Sequence, residues 1–332
     1  MVKVAINGFG RIGRLVLRAG LKDTSLEFVA VNDLTDAKTL AHLFKYDSTH
    51  GRFAGEVSAS GNDLVINGKK IRIIAEKEPE KLPWKDLGVD VVVESTGMYT
   101  SKDGVEKHIK AGAKKVLLSA PFKGKETIKT IVMGVNENSY KGENIISNAS
   151  CTTNCVVPMV KVLMDNFGIV NGVMSTIHSY TNDQKILDGA HKDLRRARAA
   201  ALNIIPTTTG AASAITEVIP ELEGKIHGAA IRVPTPDGSI VIFNCILKKP
   251  ATEEEINNAF KIASEKKMKG VLEYSEEPLV SSDIIGNPYS CIIDSQMTKV
   301  VDKTLAFVVG WYDNEWGYSN RMIDVLKVMA KK

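Results

Sequence analysis

Glycines 8, 10 and 13, in "INGFGRIGRLVL", restrict this chain more than any other feature. An apolar run (2–7) precedes them, and "RIGRLVLRAGLK", apolar at helical spacing, follows. Strand, glycine turn and helix in that order are the dinucleotide-binding pattern. Gly8 permits the tight turn, Gly10 lets the backbone approach a pyrophosphate, and Gly13 lets helix and strand pack closely. Amides at the helix start, near Arg11 and Ile12, then point at the phosphates. The next apolar run ends in "VND", at Asp33. Its carboxylate is placed to accept from adenosine ribose hydroxyls and to repel a 2′-phosphate. At ~4 Å and an effective dielectric near ~20, one such charge pair is worth about 4 kcal/mol before solvent reduces it. That balance favours NAD over NADP.

The rest of the first half fits the same class. The runs 28–33, 90–96, 115–120 and 130–136 are short, rich in Val and Ile and apolar throughout, as strands buried on both faces of a parallel sheet are. Asn67-Gly68 between two apolar runs (63–74) predicts an inserted hairpin. A doubly wound parallel α/β domain over residues 1–150 follows. The second half changes character. A helix is expected from Thr152 to Phe167, and another over 252–266 with an acidic first turn. Long strands are expected over 172–181, 229–247, 290–301 and 305–313. This predicts an α+β domain with a mixed or antiparallel sheet over 151–316, and a closing amphipathic helix over 317–332.

Composition excludes several classes. No apolar stretch approaches the ~18 residues of a membrane span. Glycines and Arg11 interrupt the N-terminal apolar run, so it reads as a first strand and not as a signal peptide. Four cysteines in 332 residues form no disulfide framework, and a reducing cytoplasm is expected. The net charge of +4 is mild. The densest basic run, "KDLRRAR" (192–198), reads as a nucleic-acid patch, a solvated face or an anion site for a small phosphate.

Two of the four cysteines stand in "SNASCTTNC". C-x-x-x-C lacks the spacing of a zinc site or of a dithiol redox pair, so no metal is expected. A nucleophile fits better. Cys151 opens a helix, where partial positive charge favours the thiolate over the ordinary thiol pKa of about 8.5. Cys155, one turn later, reads as packing. The nucleophile needs a base, and His178 in "STIHSYTND" is the candidate. Arg232, a charge inside the apolar run "AIRVPTP", calls for an anion partner.

The segments "INGFGRIGR", "SNASCTTNC", "HSYTNDQ", "NIIPTTTGAA" and "WYDNEWGYSNR" together resemble phosphorylating glyceraldehyde-3-phosphate dehydrogenase of bacterial type, in the family's order and spacing over residues 2–330. The resemblance implies a homotetramer whose subunits pair a Rossmann domain with a catalytic domain, the C-terminal helix packing back on the former. It implies Cys151 as nucleophile, forming a hemithioacetal and then a thioester, with His178 as base. It implies a site for the C3 phosphate of D-glyceraldehyde 3-phosphate at Thr181 and Arg232. A site for inorganic phosphate is implied at Ser150, Thr152, Thr209 and Gly210 with one arginine of 195–198, of which Arg196 is preferred. On the cofactor side it implies Asn314 at the nicotinamide carboxamide, with Ser119 and Lys77 lining the NAD site. Two residues depart from the pattern. Lys77 stands where arginine is common, which loses the planar fork. Ala190 stands where proline is usual.

Two other readings remain open at this level. Erythrose-4-phosphate dehydrogenase shares the cysteine, histidine and Rossmann elements, but "TTTG" (207–210) argues for a phosphate site. A non-catalytic NAD- or RNA-binding protein would not need Cys151, His178, Arg232 and Asn314 together. No membrane and no obligatory nucleic acid are expected as partners.

Overall fold

The computed structural model of the chain describes residues 1–124 and 128–332. Two compact units emerge, one of Met1–Ile131, Glu137–Ala149 and Ser319–Lys332, the other of Val132–Asn136 and Ser150–Tyr318.

The first unit is built on a nine-stranded sheet among the described residues. Its order is Val57–Ser60, Asp63–Ile66, Lys69–Ile74, Leu26–Asn32, Val2–Asn7, Val91–Glu94, Lys115–Leu118, Ile145–Ser147 and Lys129–Thr130. Val2–Asn7 is parallel to both Leu26–Asn32 and Val91–Glu94. Its neighbours in sequence and space are reached through helices, as a doubly wound topology requires. The expected hairpin is present: Asp63–Ile66 and Lys69–Ile74 pair antiparallel. Asn67 (φ 48°) and Gly68 (φ 77°) supply the two left-handed positions of its turn. The expected strand 130–136 is different. Pairing stops at Thr130, and Asn136 Oδ1 accepts from Val132 N at 2.7 Å, curling the apolar run into a turn. The stretch Ser319–Lys332 belongs to this unit; Lys115 Nζ donates to Met329 O at 2.9 Å.

The second unit carries an eight-stranded mixed sheet among the described residues. Its path runs Ile205–Thr207, Ile226–Val233, Ile169–Ser179, Ser239–Leu247, Leu305–Tyr312, Cys291–Asp294 and Leu272–Ser275, with Lys299–Val301 also paired to Leu305–Tyr312. The long run 229–247 is not one strand but two, broken where "PTPDG" turns and Gly238 takes φ 83°. The run 290–301 also divides, because Asp294 caps a short 3-10 turn over Ser295–Met297. The helix Cys151–Phe167 buries Cys155, Val156, Met159, Val160 and Leu163 against one face of the sheet. The helix Glu253–Glu265 starts on a capping box, with Thr252 and Glu255 bonding each other's backbone amides. Residues of Ser239–Leu247 alternate between buried and half-buried. The half-buried face is mixed: Ile240, Ile242 and Ile246 share it with Asn244, which pairs with Val173 on one side and Phe307 on the other.

The helix Arg11–Gly20 is tied down by a charge pair. Arg11 Nη1 lies 2.6 Å from Asp47 Oδ2, and Asp47 also accepts from the amides of Thr49 and His50. Burial opposes ionisation of Asp47, but these donors hold its carboxyl down at about 2. A carboxylate depressed in the fold stabilises above its unfolded pKa and loses that contribution as pH falls through the folded one. Asp47→Asn is therefore expected to cost on the order of 1–2 kcal/mol in urea unfolding at pH 7, after solvent screening. The gap to the unmodified chain should close between pH 4 and pH 2.

Candidate active site

In the first unit, the carboxyl ends of the parallel strands open into a cleft of about 340 Å³ lined by Gly8, Gly10, Asn32, Asp33, Lys77 and Thr96, among others. The three glycines fit a dinucleotide for distinct reasons. A Cβ on Gly8 (φ +92°) would lie 2.7 Å from Thr96 N, and one on Gly13 would lie 2.2 Å from Gly8 O. Nothing stands within 4 Å of a Cβ on Gly10, so the turn leaves an open approach there. The helix has no side-chain cap at Gly10, so its first amides, those of Arg11 and Ile12, are the donors offered to a pyrophosphate. The Arg11 side chain is committed to Asp47. Asp33 Oδ2 accepts from Phe9 N at 2.9 Å and Oδ1 from Thr35 N at 3.0 Å, which fixes the carboxylate at the cleft. Lys77 is exposed at the rim, and its carbonyl accepts from Tyr99 OH at 3.0 Å. Ser119 ends the Lys115–Leu118 strand, its amide donating to Glu94 O at 3.0 Å, outside the lining of this cleft.

The second unit assembles the polar residues of its own site. Ser150 caps the helix, accepting from Thr153 N at 3.1 Å, and Cys151 is its first residue. Ala149, just before the cap, takes the left-handed φ of 52°, a conformation that costs energy in a non-glycine residue. Cys151 Sγ is 3.4 Å from His178 Nε2. The other ring nitrogen, Nδ1, lies 2.7 Å from Ser179 O and also touches Arg232 Nη1, which donates to the same carbonyl at 2.9 Å. This meeting follows from strand register: the parallel strands Ile169–Ser179 and Ile226–Val233 place His178 directly beside Arg232. In the tautomer whose Nδ1 proton is given to Ser179 O, the Nε2 lone pair of His178 faces the thiol.

Burial dominates the electrostatics. It pushes the Cys151 thiol up to about 11, while Arg232 and the Thr152 amide pull the other way. The helix-start effect expected from the sequence is thus present but outweighed. Burial, reinforced by Arg232, lowers His178 to about 3. Both shifts favour the neutral thiol and the neutral imidazole over the thiolate–imidazolium pair while no ligand is bound.

Tyr312 packs its ring edge-on to His178 at 5.9 Å and bonds Thr152 Oγ1 and Thr176 Oγ1, both at 2.9 Å. Arg196 Nε donates to Thr207 Oγ1 at 2.9 Å and Nη2 to Thr208 O at 3.3 Å, with Asp183 against Nη1. Arg198 pairs with Asp188 at the surface instead. Among the basic run, Arg196 is the arginine turned to the "TTTG" segment. Thr209 Oγ1 accepts from Ala211 N at 3.2 Å, and Gly210 opens the helix Ala211–Val218. Thr181 is half-buried, its amide donating to Gln184 Oε1 at 3.2 Å. Asn314 is buried; its Oδ1 accepts from Ser239 Oγ at 2.6 Å, which leaves Nδ2 as the donating end.

Residues 2–102 match the NAD binding domain of glyceraldehyde 3-phosphate dehydrogenase, and residues 150–314 match its C-terminal domain. The glyceraldehyde-3-phosphate dehydrogenase of Geobacillus stearothermophilus is 59% identical over 333 residues, covering 100% of this chain and 99% of that one. Glyceraldehyde-3-phosphate dehydrogenase 1 of Bacillus subtilis is 57% identical with the same coverage. The Mycobacterium avium enzyme of that name is 56% identical over 99% of each chain. The chain belongs to the glyceraldehyde-3-phosphate dehydrogenase family. Its cofactor is NAD, and the open glycine turn and anchored Asp33 of the first unit suit that ligand.

Within this family frame, sequence reasoning missed Tyr312, Asp183 and Ser239, the residues that hold Thr152, Arg196 and Asn314. Tyr312 and Asp183 lie inside quoted motifs, "WYDNEWGYSNR" and "HSYTNDQ", so a signal existed. Ser239 had none. Among the described residues no helix is long and apolar enough to cross a membrane.

Because burial keeps Cys151 protonated, carbamidomethylation of the ligand-free protein, followed by mass at Cys151, should climb through pH 9–11 without levelling near neutrality. A plateau below pH 7 would show instead that a thiolate–imidazolium pair forms without ligand.

Proposed function

We propose that this chain oxidises D-glyceraldehyde 3-phosphate, with NAD and inorganic phosphate, to 1,3-bisphosphoglycerate. The observation that carries the reading is the contact series Cys151–His178–Arg232: a half-buried nucleophile, a buried base and a half-buried cation able to pair with phosphate. The thiol proton passes to His178 Nε2 as Sγ bonds the aldehyde carbon. The alkoxide takes that proton, giving a hemithioacetal, with the Cys151 amide and His178 stabilising the oxyanion. His178 then removes the hydroxyl proton as hydride leaves the carbon, and Cys151 carries a thioester. NAD, when bound, supplies the hydride acceptor. A phosphate oxygen attacks the thioester carbon, the C–S bond breaks, and the thiolate regains its proton from His178.

Arg232 has a second effect. While it touches Nδ1 it opposes the imidazolium that the first step needs. A substrate phosphate that pairs with Arg232 and Thr181 neutralises that opposition. Substrate binding thus raises the basicity of His178 when the aldehyde is in place. Incoming phosphate is assigned to Ser150, Thr152, Arg196, Thr209 and Gly210, which the "TTTG" turn and Arg196 support. Asn314 Nδ2 is assigned to the nicotinamide carboxamide, with Lys77 and Ser119 as further cofactor contacts. The first unit acts as cofactor domain and the second as catalytic domain.

A homotetramer is the assembly we favour. The half-buried face of Ser239–Leu247 presents Ile240, Ile242 and Ile246, and the segment after Thr181 exposes Ile186, Leu187, Leu194 and Leu202. Surfaces of this kind are rarely left to water. The free state of all four cysteines supports a cytoplasmic, reducing location. Light scattering should return about four times the 36.1 kDa chain mass.

The deciding assay follows NADH formation from glyceraldehyde 3-phosphate with and without phosphate. Phosphate-dependent turnover is expected, falling on the order of 10⁴-fold or more in Cys151→Ser. Arg232→Ala should raise KM for the substrate roughly ten- to a hundredfold, the worth of a charge-assisted contact. Turnover indifferent to phosphate would favour the erythrose-4-phosphate type, and none at all a binding protein.

A further inference from the structure

Beneath the cofactor cleft runs a chain of buried hydrogen bonds that the glycine motif does not account for. Asn7 pairs in register with Asn32 on one side and Glu94 on the other, so three polar side chains share a row at the ends of three parallel strands. All three are buried, Glu94 completely. A buried carboxylate is costly unless its lone pairs are met. Here they are. Oε2 accepts from Asn7 Nδ2 at 2.6 Å and faces His108 Nε2 at 3.0 Å; Oε1 accepts from Thr96 N at 2.8 Å and Thr96 Oγ1 at 2.5 Å.

The direction of this chain is set at its far end. His108, on the helix Lys102–Lys110, is fully buried, and its Nδ1 lies 3.0 Å from Trp84 Nε1. An indole N–H can only donate, so Nδ1 must accept and the ring proton sits on Nε2, aimed at Glu94. His108 Nε2 and Asn7 Nδ2 are 3.5 Å apart; both are donors, converging on one oxygen.

The near end is the cleft wall. Asn7, Asn32, Glu76 and Thr96 line the cleft. Asn7 Oδ1 accepts from Asn32 Nδ2 at 2.7 Å, and Asn32 clasps Glu76 through both its amide and its carbonyl at 2.9 Å. Ser95 Oγ donates to Gly8 O at 2.7 Å. Thr96 backbone stands where any Cβ on Gly8 would be. A shift of Thr96 therefore reaches the phosphate turn directly.

We propose that His108, oriented by Trp84, is a positioning residue for NAD, which through Glu94 holds the Ser95–Thr96 turn against Gly8 and so shapes the cleft before the dinucleotide arrives. The inference rests on NAD as the ligand of that cleft. The test titrates the unmodified chain and its His108→Leu, His108→Gln and Trp84→Phe variants with NAD by calorimetry, without substrate. Hydrogen exchange is followed at residues 95–98, and kcat is measured at saturating NAD. Leu cannot donate to Glu94, Gln can, and Phe frees Nδ1. His108→Leu should weaken NAD binding about tenfold, the worth of one charge-assisted hydrogen bond, with faster exchange at Thr96. Gln should restore most of the affinity, Trp84→Phe should weaken binding about threefold, and kcat should stay within about twofold. Unchanged affinity in folded His108→Leu and Trp84→Phe would overturn the proposal. So would equal losses in Leu and Gln that merely track thermal stability. If His108→Leu does not fold, Gln and Trp84→Phe decide the matter by the same criteria. An unmodified chain that ignores NAD would sink the cofactor assignment itself, a separate result.

Discussion

A guanidinium and an imidazole converge on one carbonyl, Ser179 O, and the second unit is organised around that meeting. An arginine inside a strand is expensive to bury, and one beside a histidine more so. The pairing exists because two parallel strands carry His178 and Arg232 at matching register positions. A slip of one residue in either strand would turn its own side chain to the opposite face and part the pair. Cys151 reaches His178 only because the helix behind the sheet starts at that level. Tyr312 completes the enclosure by tying the first turn of that helix, at Thr152, to the strand at Thr176. In the mechanism we propose, the cost of this charge becomes useful when an anionic substrate arrives, since the anion matches the arginine and leaves the histidine free to hold a proton.

In the function we propose, the two units meet the same problem, binding phosphate, by different means. The first uses backbone amides at an uncapped helix start, and turns its nearest guanidinium, Arg11, away to Asp47. A pyrophosphate pressed against a glycine turn leaves no room for a long side chain between them. The second uses guanidinium groups. Arg232 lies against the catalytic base, and Arg196 is gripped by Asp183, Thr207 and Thr208. Here the charge must act on a neighbouring proton transfer as well as on the ligand, which amides do more weakly.

What could be read from the sequence follows from how local each signal is. The parallel strands other than 130–136, the Asn67-Gly68 hairpin and the helix after Thr252 are written in runs of a few residues, and they stand where expected. The strand 229–247 was over-extended because apolar residues flank "PTPDG" on both sides, although Asp237-Gly238 is itself a turn signal. Cys151 and His178 could be named because their chemistry shows in residue type. The acidity of Cys151 could not, because burial is a property of the whole unit and here exceeds the local pull of the helix start. Ser239 was invisible for the same reason: it meets Asn314 across 75 residues of chain.

The adenosine end of the cleft shows how a single fixed group can carry selectivity. Lys77, where the family commonly has arginine, is exposed, so it offers a solvated point charge without a planar fork. Such a charge attracts any anion and discriminates little. Asp33 is the opposite case. One of its oxygens is held by Phe9 N and the other by Thr35 N. Each oxygen keeps a lone pair for a ribose hydroxyl, yet the group cannot swing aside without breaking two hydrogen bonds from backbone amides. A hydroxyl at the 2′ position meets an acceptor; a phosphate there meets a carboxylate that cannot retreat. We attribute preference for NAD in this chain to the rigidity of that one carboxylate.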